Sequence, residues 1–185
     1  MGIYTGAIPA KVAYENVSAD YGLEAMIQSH GNALLRYCHG ILLDYHEAQD
    51  VVQSTFIKAY TKISSPGATE THGAWLYKTA YTACIDILRR KKLQNLFFVK
   101  TSVEETTTPE YFIDENVNAI LSELPPKDRA LVYSRAVEGL GYDELVAIYG
   151  TNSATLRKRY ERAKNKLAKS MKASGIYEGR THYEK

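Results

Sequence analysis

Residues 142–171 read YDELVAIYGTNSATLRKRYERAKNKLAKSM, and the fold turns on this stretch. YDELVAIYG is a short apolar-periodic segment ending at Gly150, and Asn152 or Ser153 is placed to cap the next helix. From there Leu156, Tyr160, Ala163 and Leu167 recur at offsets of four, three and four. That stripe predicts a helix with one core-facing side. Arg157, Lys158, Arg159, Arg162, Lys164, Lys166 and Lys169 cover the remainder. A short helix, a tight glycine turn and a long basic helix form a helix-turn-helix pattern. Such a helix can lay its first residues on base edges and its later cations on phosphates. A solvated charged face is the plainer explanation of the basic residues alone; the preceding short helix and turn favour DNA.

Working outward, PKDRALVYSRAVEG begins at Pro126, a residue suited to a first helical turn, and Gly139 is read as its C-cap. Val117, Ile120, Leu121 and Leu124 resume a helical pattern before Pro125. The segment TSVEETTTPEYFIDEN, dense in Thr and Glu, reads as a linker. Fully extended, about 24 residues reach roughly 80 Å, so the flanking modules need not touch. Towards the N-terminus, AWLYKTAYTACIDILRRKK predicts a helix from about Ala74 to Lys92. Leu76, Ala80, Ala83, Cys84 and Ile87 share one of its faces, and Lys78, Thr82, Asp86 and Arg89 the opposite one, with Trp75 near their edge. SSPGATETHG, residues 64–73, reads as a loop. Asp44 caps another helix in a capping-box arrangement with Glu47, and an apolar-periodic helix covers Leu23 to Leu43. The fold class is therefore all-α: two small helical domains joined by a flexible acidic linker. Their bounds are an N-terminal extension at 1–22, a first module at 23–92, a linker at 93–118, a second module at 119–171 and a tail at 172–185.

Across 185 residues the formal net charge is only +2. The charges are nevertheless sorted: net −3 over 1–72, +5 over 73–100, −7 over 101–150 and +7 over 151–185. Two basic blocks separated by an acidic one fit two contacts on one polyanion, or one contact and a solvated tail, and exclude a single strongly basic domain. No apolar run approaches the ~18 residues of a membrane span, so no membrane insertion is expected. The first residues lack the pattern of a secretion signal. The two cysteines, Cys38 and Cys84, lie in apolar helical patterns, which fits a reducing cytoplasm.

The stretch from DYHEAQDVVQSTFIKAY through AWLYKTAYTACIDILRRKK resembles region 2 of the sigma-70 family, in its small extracytoplasmic-function (ECF) group. LSELPPKDRALVYSRAVEGLGYDELVAIYGTNSATLRKRYERAKNKL is similar to region 4 of that group. The two likenesses stand in the family's order and cover about residues 23–170. The resemblance implies a bacterial, cytoplasmic sigma factor whose partners are core RNA polymerase and promoter DNA, with an anti-sigma factor as a further partner. It implies polymerase contacts at Asp50, Gln53 and Glu47. It implies contacts with the melted minus-ten strand at Trp75, Lys78, Thr82, Arg89 and Arg90. The minus-thirty-five element would meet Ala154, Thr155, Arg157, Lys158, Arg159 and Arg162. The acidic linker, with six acidic residues and no basic one over 101–123, would thread polymerase channels that otherwise hold RNA. The sequence departs from the family pattern at Thr151, usually a buried aliphatic, at Val146, usually Ala, and at Thr82, where many relatives carry Asn.

The competing reading is a polymerase-independent helix-turn-helix regulator that binds a two-fold symmetric operator. An enzyme is not expected: no catalytic residues, cofactor or metal site emerge. His46-Glu47 lacks the second histidine of a zinc motif. His30, His39 and His46 are expected at the surface. The fifteen tyrosines scatter over every segment without a functional account.

Overall fold

The computed structural model describes residues 10–63, 73–97 and 115–173, and within these the side chains of 22–62, 73–94 and 118–173. The described residues form seven helices and no strand: α1 (Ala10–Leu42), α2 (Tyr45–Ile63), α3 (Gly73–Phe97), α4 (Glu115–Ser122), α5 (Pro126–Ala136), α6 (Tyr142–Tyr149) and α7 (Ser153–Ala173). Helix thus reaches into the expected N-terminal extension and into both edges of the expected linker. Of the loop expected at 64–73, Gly73 instead opens α3, and residues 64–72, the acidic segment 98–114 and the expected tail beyond 173 lie outside the described residues.

Helices α1 to α3 form one bundle. Leu34, Tyr37, Cys38 and Ile41 of α1 are fully buried at helical spacing, against Ala48, Val51, Phe56 and Ala59 of α2 and Leu76, Ala80 and Cys84 of α3. Each large side chain removed from water in this way contributes about 1.5–3 kcal/mol. Leu43, at φ +57°, reverses the chain after α1. Asp44 then caps α2, its Oδ1 accepting the Glu47 N–H at 3.0 Å. Both cysteines are free and buried.

Helices α4 to α7 form the second bundle. Leu131, Leu145 and Leu156 make one small core, and Leu124, Val132 and Ala163 another. Pro126 opens α5 as expected, but α5 ends at Ala136 rather than running on to Gly139. The Glu138 and Leu140 amides close its end onto the carbonyls of Tyr133 and Ser134. Gly150 ends α6 in the left-handed conformation, at φ +62°, which an L side chain adopts only with strain. Of the two candidate caps for α7, Asn152 is the one used: its Oδ1 accepts the Thr155 N–H at 2.8 Å. At its far end α7 is tied to the end of α4, Lys166 donating to the Glu123 carbonyl at 2.5 Å and Ser170 to the Glu123 carboxylate.

The two bundles are packed together, an outcome that the reach of the linker left open. Ala130 and Tyr133 of α5 and Ile148 of α6 belong to the same buried cluster as the core of α1–α3. Five of the fifteen tyrosines find a role at this contact: Tyr37 packs on Tyr133 and Tyr81 on Tyr149 across the boundary, while Tyr77 packs on Tyr37 and donates to Glu138. The expectation for the histidines needs one correction. His46 is exposed and His30 half-buried, but His39 is fully buried, because it shares the inner side of α1 with Cys38 and Leu42.

Candidate nucleic-acid interface

The second-bundle site is built by α6, the Gly150 turn and α7. Burial of Leu156 and Ala163, with Tyr160 and Leu167 half-buried, fixes the rotation of α7 about its axis. That rotation exposes Ala154, Thr155, Arg157, Lys158 and Arg162. Two arginines are already engaged. The Arg157 guanidinium lies 4.0 Å from the centre of the Tyr142 ring, a cation–π contact that holds it beside the turn. Arg135 approaches the same ring at 5.3 Å. Arg159 is half-buried and turned back onto Asp128 of α5, with its Nη2 at 2.6 Å from the carboxylate. The expected row of six residues is thus an exposed group of five and one arginine with an intramolecular partner. At the departures from the family pattern, Thr151 and Val146 are both half-buried, and the Thr151 hydroxyl donates to the Tyr149 carbonyl at 3.3 Å.

The first-bundle site lies along α3. Lys78, Thr82, Arg89 and Arg90 are exposed. Trp75 is half-buried at their edge with the Lys62 ammonium 4.7 Å from its ring centre. The Thr82 hydroxyl donates to the Lys78 carbonyl at 2.9 Å. Arg89 pairs with Asp86 at 3.1 Å, an exposed pair that holds it only weakly. Within the charge run at 89–92, Lys91 differs from its neighbours: it crosses to α2 and sits 2.7 Å from Glu47 Oε2.

That contact divides the third set. Asp50 and Gln53 project from the outer side of α2 and are exposed. Glu47 is half-buried and tied to Lys91, so it joins α2 to α3 rather than standing with the other two. Sequence reasoning also missed Ile57, which is 60% exposed on α2. A large aliphatic side chain left in water one turn beyond Gln53 extends the same outer surface. Its exposure could have been read from the sequence only by placing Ile57 opposite Val51, Thr55 and Ala59.

A cleft of about 510 Å³ runs between the end of α3 and the start of α5. Arg89 and Lys92 line it from one bundle, and Lys127, Arg159 and Arg162 from the other. No group of three or more metal-binding side chains occurs among the described residues, and no described helix is long and apolar enough to cross a membrane.

Two helical modules, packed together and each with an exposed cationic face, one of them a helix-turn-helix, define a two-part reader of nucleic acid. Family models for sigma-70 region 2 and sigma-70 region 4 match residues 26–94 and 114–167. The chain belongs to the sigma-70 family, in its ECF group. It is 26% identical over 155 residues to the ECF RNA polymerase sigma factor SigE of Mycolicibacterium smegmatis, covering 78% of this chain and 59% of that protein. It is 23% identical over 163 residues to the ECF sigma factor SigW of Bacillus subtilis, covering 80% and 87%. Two solved structures share the fold. CnrH in complex with the cytosolic domain of CnrY superposes with a TM-score of 0.65 at 20% identity, covering 88% of this chain and 95% of that one. The sigma factor RpoE in complex with the anti-sigma factor NepR from Bartonella quintana gives 0.67 at 22%, covering 80% and 96%.

Proposed function

We propose that this protein is an initiation subunit that binds core RNA polymerase, reads a promoter through two modules and promotes its opening. The observation that carries this reading is the pairing of both family regions, in order, with an exposed cationic face on each. Asp50 and Gln53 of α2 form the polymerase contact. Lys78, Thr82, Arg89 and Arg90, with Trp75 beside them, meet the melted minus-ten strand, where a cationic track next to an aromatic ring suits unstacked bases. Ala154, Thr155, Arg157 and Lys158 meet base edges and phosphates of the minus-thirty-five duplex, with Arg162 further along the helix. Arg159 contributes by bracing α7. The working modules are residues 23–92 and 119–171. The protein acts in the bacterial cytoplasm, as a polymerase subunit and not as an enzyme. An anti-sigma factor, as bound to RpoE in the structural relative, is a candidate partner.

A regulator independent of polymerase would use the helix-turn-helix but leaves the match at 26–94 without a task. Run-off transcription with purified core polymerase on a genomic template library separates the two. The sigma-factor reading expects discrete promoter-specific transcripts that depend on this protein. Their absence, together with tight binding of the free protein to a palindromic duplex, would replace it with the regulator.

A further inference from the structure

Promoter reading assigns a task to Arg89 and to Arg162, each on its own helix, and none to Lys92 or Lys127. All four line the cleft of about 510 Å³ between the end of α3 and the start of α5. With Arg159 they make five cations that converge from three helices, and Asp128 is the single acidic residue of the lining. Asp128 is already engaged, its Oδ1 accepting from both Nε and Nη2 of Arg159. Arg89 is held only weakly by its exposed pair with Asp86. Lys92, Lys127 and Arg162 have no ion-pair partner among the described residues.

Cations of one sign gathered in a recess repel one another, and the low-dielectric walls focus their field, so the recess concentrates anions. Helix α5 opens at the same place. Its cap residue, Pro125, brings no side-chain oxygen to the first turn, so the positive end of the helix adds to this potential. Five cations against one occupied carboxylate call for a ligand with several negative charges.

The rest of the wall is apolar. Ile85 and Leu88 of α3 face Pro125 and Pro126 across the cleft. A site for inorganic anions alone needs no such surface, whereas a flat heterocycle does. Shape excludes the double helix, since a protein helix reads DNA by entering a groove as a convex element. A recess between two helix ends cannot do that. Sites for small molecules occupy roughly 300–1,000 Å³ and join an apolar lining to a few convergent polar groups, as this one does.

We infer that the cleft binds a nucleoside di- or triphosphate, with its phosphates on Lys92, Lys127 and Arg162 and its base against Leu88 and the Pro125-Pro126 pair. Guanidinium forks and ammonium groups both match phosphate oxygens, and contacts between charged partners are the stronger hydrogen bonds. Bound nucleotide competes with promoter DNA for Arg162. That consequence rests on the sigma-factor reading; the nucleotide site does not.

Titration calorimetry of the full-length protein with ATP, at physiological ionic strength, tests the site. ATP should bind, AMP should bind at least about tenfold more weakly for its missing charged contacts, and adenosine should give no heat. Tripolyphosphate carries more charge than ATP and has no base. A merely electrostatic patch ranks it above ATP, and the cleft with its apolar wall ranks ATP first. Lys127→Glu and Lys92→Glu, both at exposed positions, should each weaken ATP about tenfold or more with thermal unfolding unchanged. Lys58→Glu, equally exposed but on α2 outside the cleft, should leave ATP binding as it is. No binding of ATP, tripolyphosphate binding as tightly as ATP, or equal losses in Lys58→Glu and Lys127→Glu overturns the site. Competition is measured on a duplex carrying the upstream element of a promoter found by run-off transcription. Saturating ATP should weaken duplex binding by the parent and not by Lys127→Glu. An ATP-loaded protein with unchanged duplex affinity overturns the competition and leaves the site. Absence of any promoter-specific transcript overturns the sigma-factor reading, while ATP binding is read on the protein alone.

Discussion

Arg159 of α7 and Asp128 of α5 are joined through a single carboxylate oxygen: Nε and Nη2 of the arginine both donate to Oδ1, at 3.0 and 2.6 Å. Both side chains are about three-quarters withdrawn from solvent, at 22% and 27% exposure, so the pair is better shielded than an ordinary surface ion pair. It binds the outer side of the reading helix to the helix behind it, and it sets the angle at which α7 presents its exposed cations.

Asp128→Ala should therefore lower the stability of the second bundle by about 1 kcal/mol, the upper range for a partly exposed pair. It should also reduce upstream-element affinity, although Asp128 carries the wrong charge to touch DNA. Denaturant titration and duplex binding check both. Tighter binding by Asp128→Ala would mean that the aspartate merely competes with phosphate for Arg159, and would assign Arg159 to the DNA.

Arg157→Ala addresses base readout. Stacked on Tyr142 at 4.0 Å, this guanidinium is held at the start of α7, where base edges come within reach. Its loss should cost about 1–3 kcal/mol on the preferred upstream sequence and relax selectivity at one position. A uniform loss over all sequences, with a shallower salt dependence, would make it a phosphate contact.

Asp50→Arg should abolish co-purification with core polymerase while leaving thermal unfolding unchanged, because the side chain is exposed and supports no packing. Glu47→Gln should behave differently. By loosening the Lys91 contact between α2 and α3, it should lower stability modestly and weaken polymerase binding less than Asp50→Arg. Equal binding losses in the two variants would place Glu47 in the polymerase surface.

The pH dependence of stability should carry a contribution from His39. Burial lowers its pKa, and the nearby Asp44 charge only partly offsets this. The folded state therefore favours the neutral imidazole, and the unfolded chain binds the proton more readily. That stability is fully present above the unfolded value of about 6.5 and is lost as pH falls from there towards the lower folded value. Urea midpoints for the parent and His39→Gln between pH 8 and 5 check this. The parent should lose more stability than the variant below pH 6.5, and parallel curves would show that His39 does not contribute.

Much of the molecule was legible along the chain, because helices are local objects. The stripe Leu156–Tyr160–Ala163–Leu167, Pro126 at a first turn, Gly150 after a last one and Asp44 as a cap all act within a few residues of themselves. The choice between Asn152 and Ser153 was not legible, since both are good caps and only the geometry of the turn selects one. Glu47 and Arg159 look like neighbours of Asp50 and Lys158 on charged helix faces. Their partners, Lys91 and Asp128, lie 44 and 31 residues away, and an ion pair over such a distance leaves no periodic trace.

By itself, then, the sequence determined seven helices' worth of periodicity, two charged modules in a defined order, and the family to which they belong. These depend on spacing, capping and the sign of charge, which are properties of short segments. Only the tertiary structure decided that the modules are joined, that five tyrosines meet between them, that His39 is buried and that Gly40 is small because Tyr133 lies on it. Those facts come from contacts between residues up to 112 positions apart, as for Tyr37 and Tyr149. Alternation of apolar and polar residues marks which side of a helix is buried; it does not say which other helix does the burying.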